Sequence, residues 1–211
     1  MNTQLHSLIE RQRQRMRELC EDAPDLANII ADEIWDKFEI DVEEVTADGY
    51  MFDIATSTQM SLSSTLSLNY DKAFERHVVG FFDRQEKELR DAGASEICFD
   101  GARIDLSGLR KGLKLRSRAE EMIGDAIERA KPGLIGMLFL SQDPCSDAWE
   151  REHSENARRV RTKLLGLRGK IFESIRGETT TTIQTARLAY ADMLDSLSLR
   201  IAMSPNHSGT A

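Results

Sequence analysis

Long hydrophobic runs are missing from this chain, and so are dense cysteine, dense proline and basic excess. The longest apolar-rich stretch, Leu134 to Leu140, is seven residues and contains Gly136, against the roughly 20 needed to span a bilayer. The start, MNTQLHSLIERQRQRMREL, has no continuous apolar segment of the kind a secretory signal carries. Cys20, Cys98 and Cys145 are far apart and odd in number, which excludes a disulfide-stapled framework. Four prolines in 211 residues exclude a proline-rich linker protein. Aromatics make up only 6%, so aliphatic side chains must do most of the packing. A reducing cytoplasm, or a particle assembled there, is the expected location, with no membrane partner.

What is present is a chain long enough for a real core, with 40% hydrophobic and 30% charged residues. Residues 3–20 read as an amphipathic helix, with Leu5, Leu8, Met16 and Leu19 on one arc and Ile9 beside them. Asp22-Ala-Pro-Asp25 resembles a capping box that opens a second helix, whose expected buried face is Leu26, Ile29, Ile30, Ile34 and Phe38. Beyond it the pattern changes. Ile40, Val42 and Val45 lead into Asp48-Gly49 and then Tyr50, Phe52 and Ile54, which is the signal of a two-residue β-hairpin. Met60, Leu62, Leu66, Leu68 and Tyr70 alternate with polar residues as a third strand with one wet face.

Asp71 caps a helix expected to run to Ala92 and stop at Gly93. A second Asp-Gly hairpin is expected over Ile97 to Leu106 and a helix over 117–130. Leu134 to Leu140 fits a strand or a buried helical turn equally well. From Ser146 the pattern is helical. His153, Ala157, Val160, Leu164, Leu167 and Ile171 step by 4 and 3, a seam-like period. Gly177 is expected to break it, with Ile183 to Ile201 returning as the second arm of an antiparallel helical hairpin. The expected class is therefore α+β: an antiparallel hairpin sheet covered by helices over 1–143, a helical hairpin over 144–203 and a mobile tail over 204–211.

The helix, three strands and helix of 25–92 are similar in order to double-stranded-RNA-binding modules. Their binding edge would here begin Asn69-Tyr70-Asp71-Lys72-Ala73, without a basic cluster, so that function is excluded. Glu178-Thr179-Thr180 followed by Ala189-Tyr190 is similar to a segment of phage minor head proteins. The resemblance is confined to that stretch and implies a structural role in a viral particle; it assigns no family.

Charge is distributed very unevenly. From Glu18 through Asp71 there are fourteen carboxylates against one base, Lys37. Arg103, Arg110, Lys111, Lys114, Arg116 and Arg118 then crowd one region, and Arg158, Arg159, Arg161, Lys163, Arg168 and Lys170 crowd another. Opposite-charge segments of this kind steer association. The first expectation is a non-catalytic, self-associating interaction or assembly subunit, with itself or another protein as partner. Its interface would pack Val160, Leu164, Leu167 and Ile171, with Arg158, Arg159 and Lys163 facing Asp41, Glu43 and Glu44. The alternative is a nucleic-acid-binding regulator using Arg110, Lys111, Lys114, Arg116, Arg161 and Lys170.

No cofactor is expected. A divalent ion between Glu44 and Asp53 is disfavoured, because strand alternation sends Glu43 and Glu44 to opposite faces. Gly108-Leu-Arg-Lys-Gly112 and Gly166-Leu-Arg-Gly169-Lys170 lack the spacing and the Ser/Thr of a phosphate-binding P-loop. The histidines His6, His77, His153 and His207 are scattered singly, and Cys98 has no evident base beside it, so no catalytic constellation is read.

Overall fold

Where the alternation promised strands, the backbone is helical. A computed structural model describes residues 2–47, 55–94, 113–130 and 147–203, and among them there is no strand. The elements are α1 (Asn2–Glu21), α2 (Ala23–Ala47), α3 (Ala55–Phe74), a π-helical turn (Glu75–Val79) and α4 (Gly80–Asp91), followed by α5 (Leu113–Glu128), α6 (Asp147–Leu165) and α7 (Arg168–Met203). The α+β expectation is thus corrected to an all-α architecture.

The third "strand" is α3, and its pattern shows why. Leu62, Leu66 and Tyr70 are even-numbered, as alternation requires, but they are also spaced by four. They are buried together with Thr58, Ser63, Ala73 and Phe74, while Met60 and Leu68 are more than half exposed. A series of four-residue steps satisfies both periods, and the buried set has the helical one. Val42 likewise continues the α2 face Ile30, Ile34 and Phe38. Thr46 supports this last stretch by donating its hydroxyl to the Val42 carbonyl at 2.7 Å. Ile40, the supposed first residue of the hairpin, lies on the exposed side. The Asp48-Gly49 turn with Tyr50, Phe52 and Ile54, the Ile97–Leu106 hairpin, Leu134–Leu140 and the 204–211 tail lie outside the described residues. The order that resembled a double-stranded-RNA module loses its strand at 60–70.

Gly93 ends α4 with φ 93°, the left-handed stop that only glycine adopts without strain. Gly177 does not end anything: α7 runs through it. The break falls at Gly166–Leu167, where Gly166 N–H still donates to Thr162 O and Leu167 N–H to Leu164 O.

The chain folds as two compact units, the first from residues 1–27, 74–111 and 178–211, the second from 28–73 and 112–177. In the first, Leu5, Ile9 and Met16 of α1 are buried along with Phe82 and Leu89 of α4 and Ile183, Tyr190, Leu194 and Ile201 of α7. Phe82 and Tyr190 meet edge to face at 5.6 Å. A buried polar relay runs among these helices. Tyr190 Oη donates to Gln12 Oε1 at 2.7 Å, and Gln12 Nε2 donates to the Gln85 carbonyl at 2.8 Å. Gln85 Oε1 in turn accepts from Arg15 at 3.0 Å, and Arg15 also holds Glu88 at 2.8 Å.

The second unit buries Ile30, Ile34, Trp35, Phe38 and Val42 of α2, Leu62, Leu66 and Tyr70 of α3, Leu115, Ala119 and Ile123 of α5, and the 160–171 seam. Gly124 of α5 sits against α3: a Cβ there would lie 2.5 Å from Gln59 Nε2, which donates to the Glu120 carbonyl at 2.6 Å. At the start of α7, Arg168 lies over the rings of Trp35 (5.9 Å) and Phe172 (5.1 Å). No helix among the described residues is long and apolar enough to cross a membrane.

Candidate nucleic-acid interface

Within the second unit, the acidic and basic halves of the sequence share one body. Residues 28–73 carry 2 bases and 10 acids, and residues 112–177 carry 13 bases and 10 acids. Ion pairs join them, among them Arg161 to Glu43, and Arg168 to Asp32 at 3.5 Å. Both are solvent-exposed, and such pairs contribute about 0–1 kcal/mol each. The partner of the acidic segment is therefore found, in part, inside the same copy.

The seam is used in the same way. Val160, Leu164, Leu167 and Ile171 are all buried in the second unit, Leu164 and Ile171 completely. They pack the core of the second unit. Asp41, Glu43 and Glu44 ride on the last turns of α2, where burial and then the neighbouring Glu44 hold the Asp41 carboxyl above its usual range.

Burying one face of α6 and one face of α5 turns their charged faces outward along a shared cleft of about 580 Å³. From α5 and the turn just after it the cleft is lined by Arg118, Glu121, Asp125 and Arg129, at helical steps of 3, 4 and 4, on a different face from the buried Leu115, Ala119 and Ile123. Thr162, Lys163, Gly166 and Lys170 line the other side. A smaller pocket of about 220 Å³ shares Arg129, Thr162 and Lys163 and adds Arg158 and Arg159. Arg129 and Lys163 thus stand where both pockets meet, while Arg118 and Lys170 line the larger cleft alone. Arg118 on α5 and Arg129 in the turn just after it are eleven residues apart, about 16 Å along the axis at 1.5 Å per residue.

The cations differ in what they already hold. Arg129 pairs with Asp125 at 3.0 Å, Arg158 with Glu155 at 2.8 Å and Arg159 with Glu152 at 2.7 Å. The Glu155 carboxyl is lowered chiefly by its hydrogen bond from Arg158, and the guanidinium is raised by the same bond. Arg118, Lys163 and Lys170 make no ion pair with any described residue. These three come from stretches some 45 positions apart in sequence and converge on one concavity.

Of the residues the sequence proposed for nucleic acid, Lys170 lies in this cleft, Arg161 faces Glu43, and Arg116 pairs with Glu120 along α5 at 3.0 Å. Lys114 is on α5, but its side chain lies outside the described residues, as do Arg110 and Lys111 altogether. Arg118 belongs to the basic 103–118 stretch without being among the residues named for nucleic acid, and Arg129 lies outside both basic stretches. A helical reading of 113–130 that placed Arg118, Asp125 and Arg129 on one face could have found them. Among the described residues no group of histidine, cysteine, aspartate or glutamate is arranged to hold a metal ion. Comparison with family models, curated proteins and solved structures returns no match to this chain.

Proposed function

We propose that this chain is a non-catalytic nucleic-acid-binding protein that takes phosphate groups in the α5–α6/α7 cleft. The observation that carries the reading is the convergence of Arg118, Lys163 and Lys170, cations without a carboxylate partner among the described residues, beside Arg129. Arginine and lysine neutralising phosphates release condensed counterions, and this supplies affinity that falls with salt. Three or four such contacts on a single strand give a slope of log K against log salt of about −2 to −3. The global charge of −8 opposes non-specific approach, so the cleft has to act locally.

The test is retardation of labelled single- and double-stranded oligonucleotides at low and at physiological salt. Wild-type chain should bind at low salt with the slope above, and Lys163→Glu with Lys170→Glu should weaken binding at least tenfold. Failure to bind any oligonucleotide at low salt contradicts the proposal.

A second reading, self-association, rests on α7 rather than on the seam. Leu188, Leu199 and Met203 are 65%, 65% and 82% exposed and, at 100° per residue, fall within about 60° of one another. A solution mass that rises with concentration, and that Leu188→Lys with Leu199→Lys returns to the monomer value, would support it. A monomer mass at tens of micromolar in both low and high salt would end it.

A further inference from the structure

Among its unpaired cations the cleft also carries one unpaired carboxylate. Glu121 lies one turn from Arg118 and one turn from Asp125 on the cleft face of α5. Asp125 is already engaged by Arg129; Glu121 makes no ion pair with a described residue. A ligand made only of phosphate would satisfy Arg118, Lys163 and Lys170 while facing a like charge at Glu121. A carboxylate among these cations favours a ligand that carries a hydrogen-bond donor as well as anionic oxygens, and a base with an exocyclic N–H is one such ligand.

Resting on the nucleic-acid reading, we infer that the cleft takes a single-stranded segment and that Glu121 selects bases bearing an exocyclic amino group. Cytosine offers its N4 amino group to a carboxylate, whereas the same edge of thymine presents the O4 acceptor. In a single strand the whole Watson–Crick edge of the base, that amino group included, is open to such recognition. The size agrees: about 580 Å³ is the scale of a small-ligand site, which suits an unstacked base. Met122, which also lines the cleft, supplies apolar surface for a base face. The Arg118 guanidinium plane can stack on one.

The inference is read from fluorescence anisotropy of the full chain with equal-length oligo-dC and oligo-dT at neutral pH and fixed low salt. Oligo-dC should bind roughly ten- to hundredfold tighter, the size of one charge-assisted hydrogen bond. Glu121→Gln should bring the ratio close to one, because an amide both donates and accepts. Lys163→Ala should weaken both oligonucleotides by a similar factor and leave the ratio intact. Equal binding of the two by wild type, or a ratio that Glu121→Gln leaves unchanged, overturns base selection while leaving phosphate binding standing. Binding of neither overturns both.

Discussion

Gln12 is fully buried in a helix whose other inward residues are apolar, and it is tolerated because both ends of its amide are used. Tyr190→Phe would remove the hydroxyl that donates to Gln12 Oε1 and leave that oxygen buried without its donor. Such a loss costs about 1–3 kcal/mol, or several degrees in Tm for a chain of this size. Thermal melting checks it; an unchanged Tm would mean that the relay contributes nothing. Burial, with Glu86 and Glu88 next, holds the Tyr190 hydroxyl in its protonated form well past its usual range, so the donor persists at any physiological pH. His153 is the opposite case. It stacks on Trp149 at 4.0 Å, is 9% exposed, and burial pushes its pKa below the ordinary 6.5. The unfolded chain takes up this proton first as pH falls, so the folded state is penalised in acid. Stability should be full above pH 6.5 and decline below it, and His153→Phe should flatten that part of a pH series of urea midpoints. Gly124→Ala pits two effects of similar size against each other. Alanine gains about 1 kcal/mol of helix propensity, while the new Cβ displaces Gln59 and costs its hydrogen bond, about 0.5–1.5 kcal/mol. The expected change in Tm is within about 2 °C.

At the scale of elements, α7 makes the sharpest demand. Gly177 has open space around its Cα and no positive φ, so Gly177→Ala should stabilise by about 1 kcal/mol. A glycine that ended a helix in the left-handed conformation would give destabilisation instead, so a thermal melt distinguishes a continuous α7 from the expected hairpin. Part of the fold was legible in the sequence. The span of α1, the start of α2, the Gly93 stop and the burial of Val160, Leu164, Leu167 and Ile171 are where the residue pattern puts them, because amphipathic faces and glycine stops are local chemistry. The strands were misread for a reason of equal simplicity. In a run with few charges, Leu62, Leu66 and Tyr70 meet both periods, and only tertiary burial decides. The same tertiary information was missing for Gln12, whose place on the α1 face follows from Leu5, Ile9 and Met16 but whose polarity argued against burial. The candidate site was legible only as two basic stretches. That Lys170 meets Arg118, while Arg161 turns to Glu43, depends on which faces of α5 and α6 are buried.

Across the whole molecule, the net charge of −8 conceals about −9 over residues 1–70 (5 bases, 14 acids), −1 over 71–130 (12 and 13) and +2 over 131–211 (11 and 9). Folding brings the acidic 28–73 and the basic 112–177 stretches into one unit, and ion pairs between them leave Arg118, Lys163 and Lys170 uncommitted among the described residues. Binding should therefore be local and should not require the acidic surface to change. Hydrogen exchange with and without a single-stranded oligonucleotide at low salt tests this most directly. Slower exchange confined to about residues 115–130 and 158–174 is the result the account predicts. No change on addition of the oligonucleotide, or protection confined to the 188–203 stretch of α7, would contradict it.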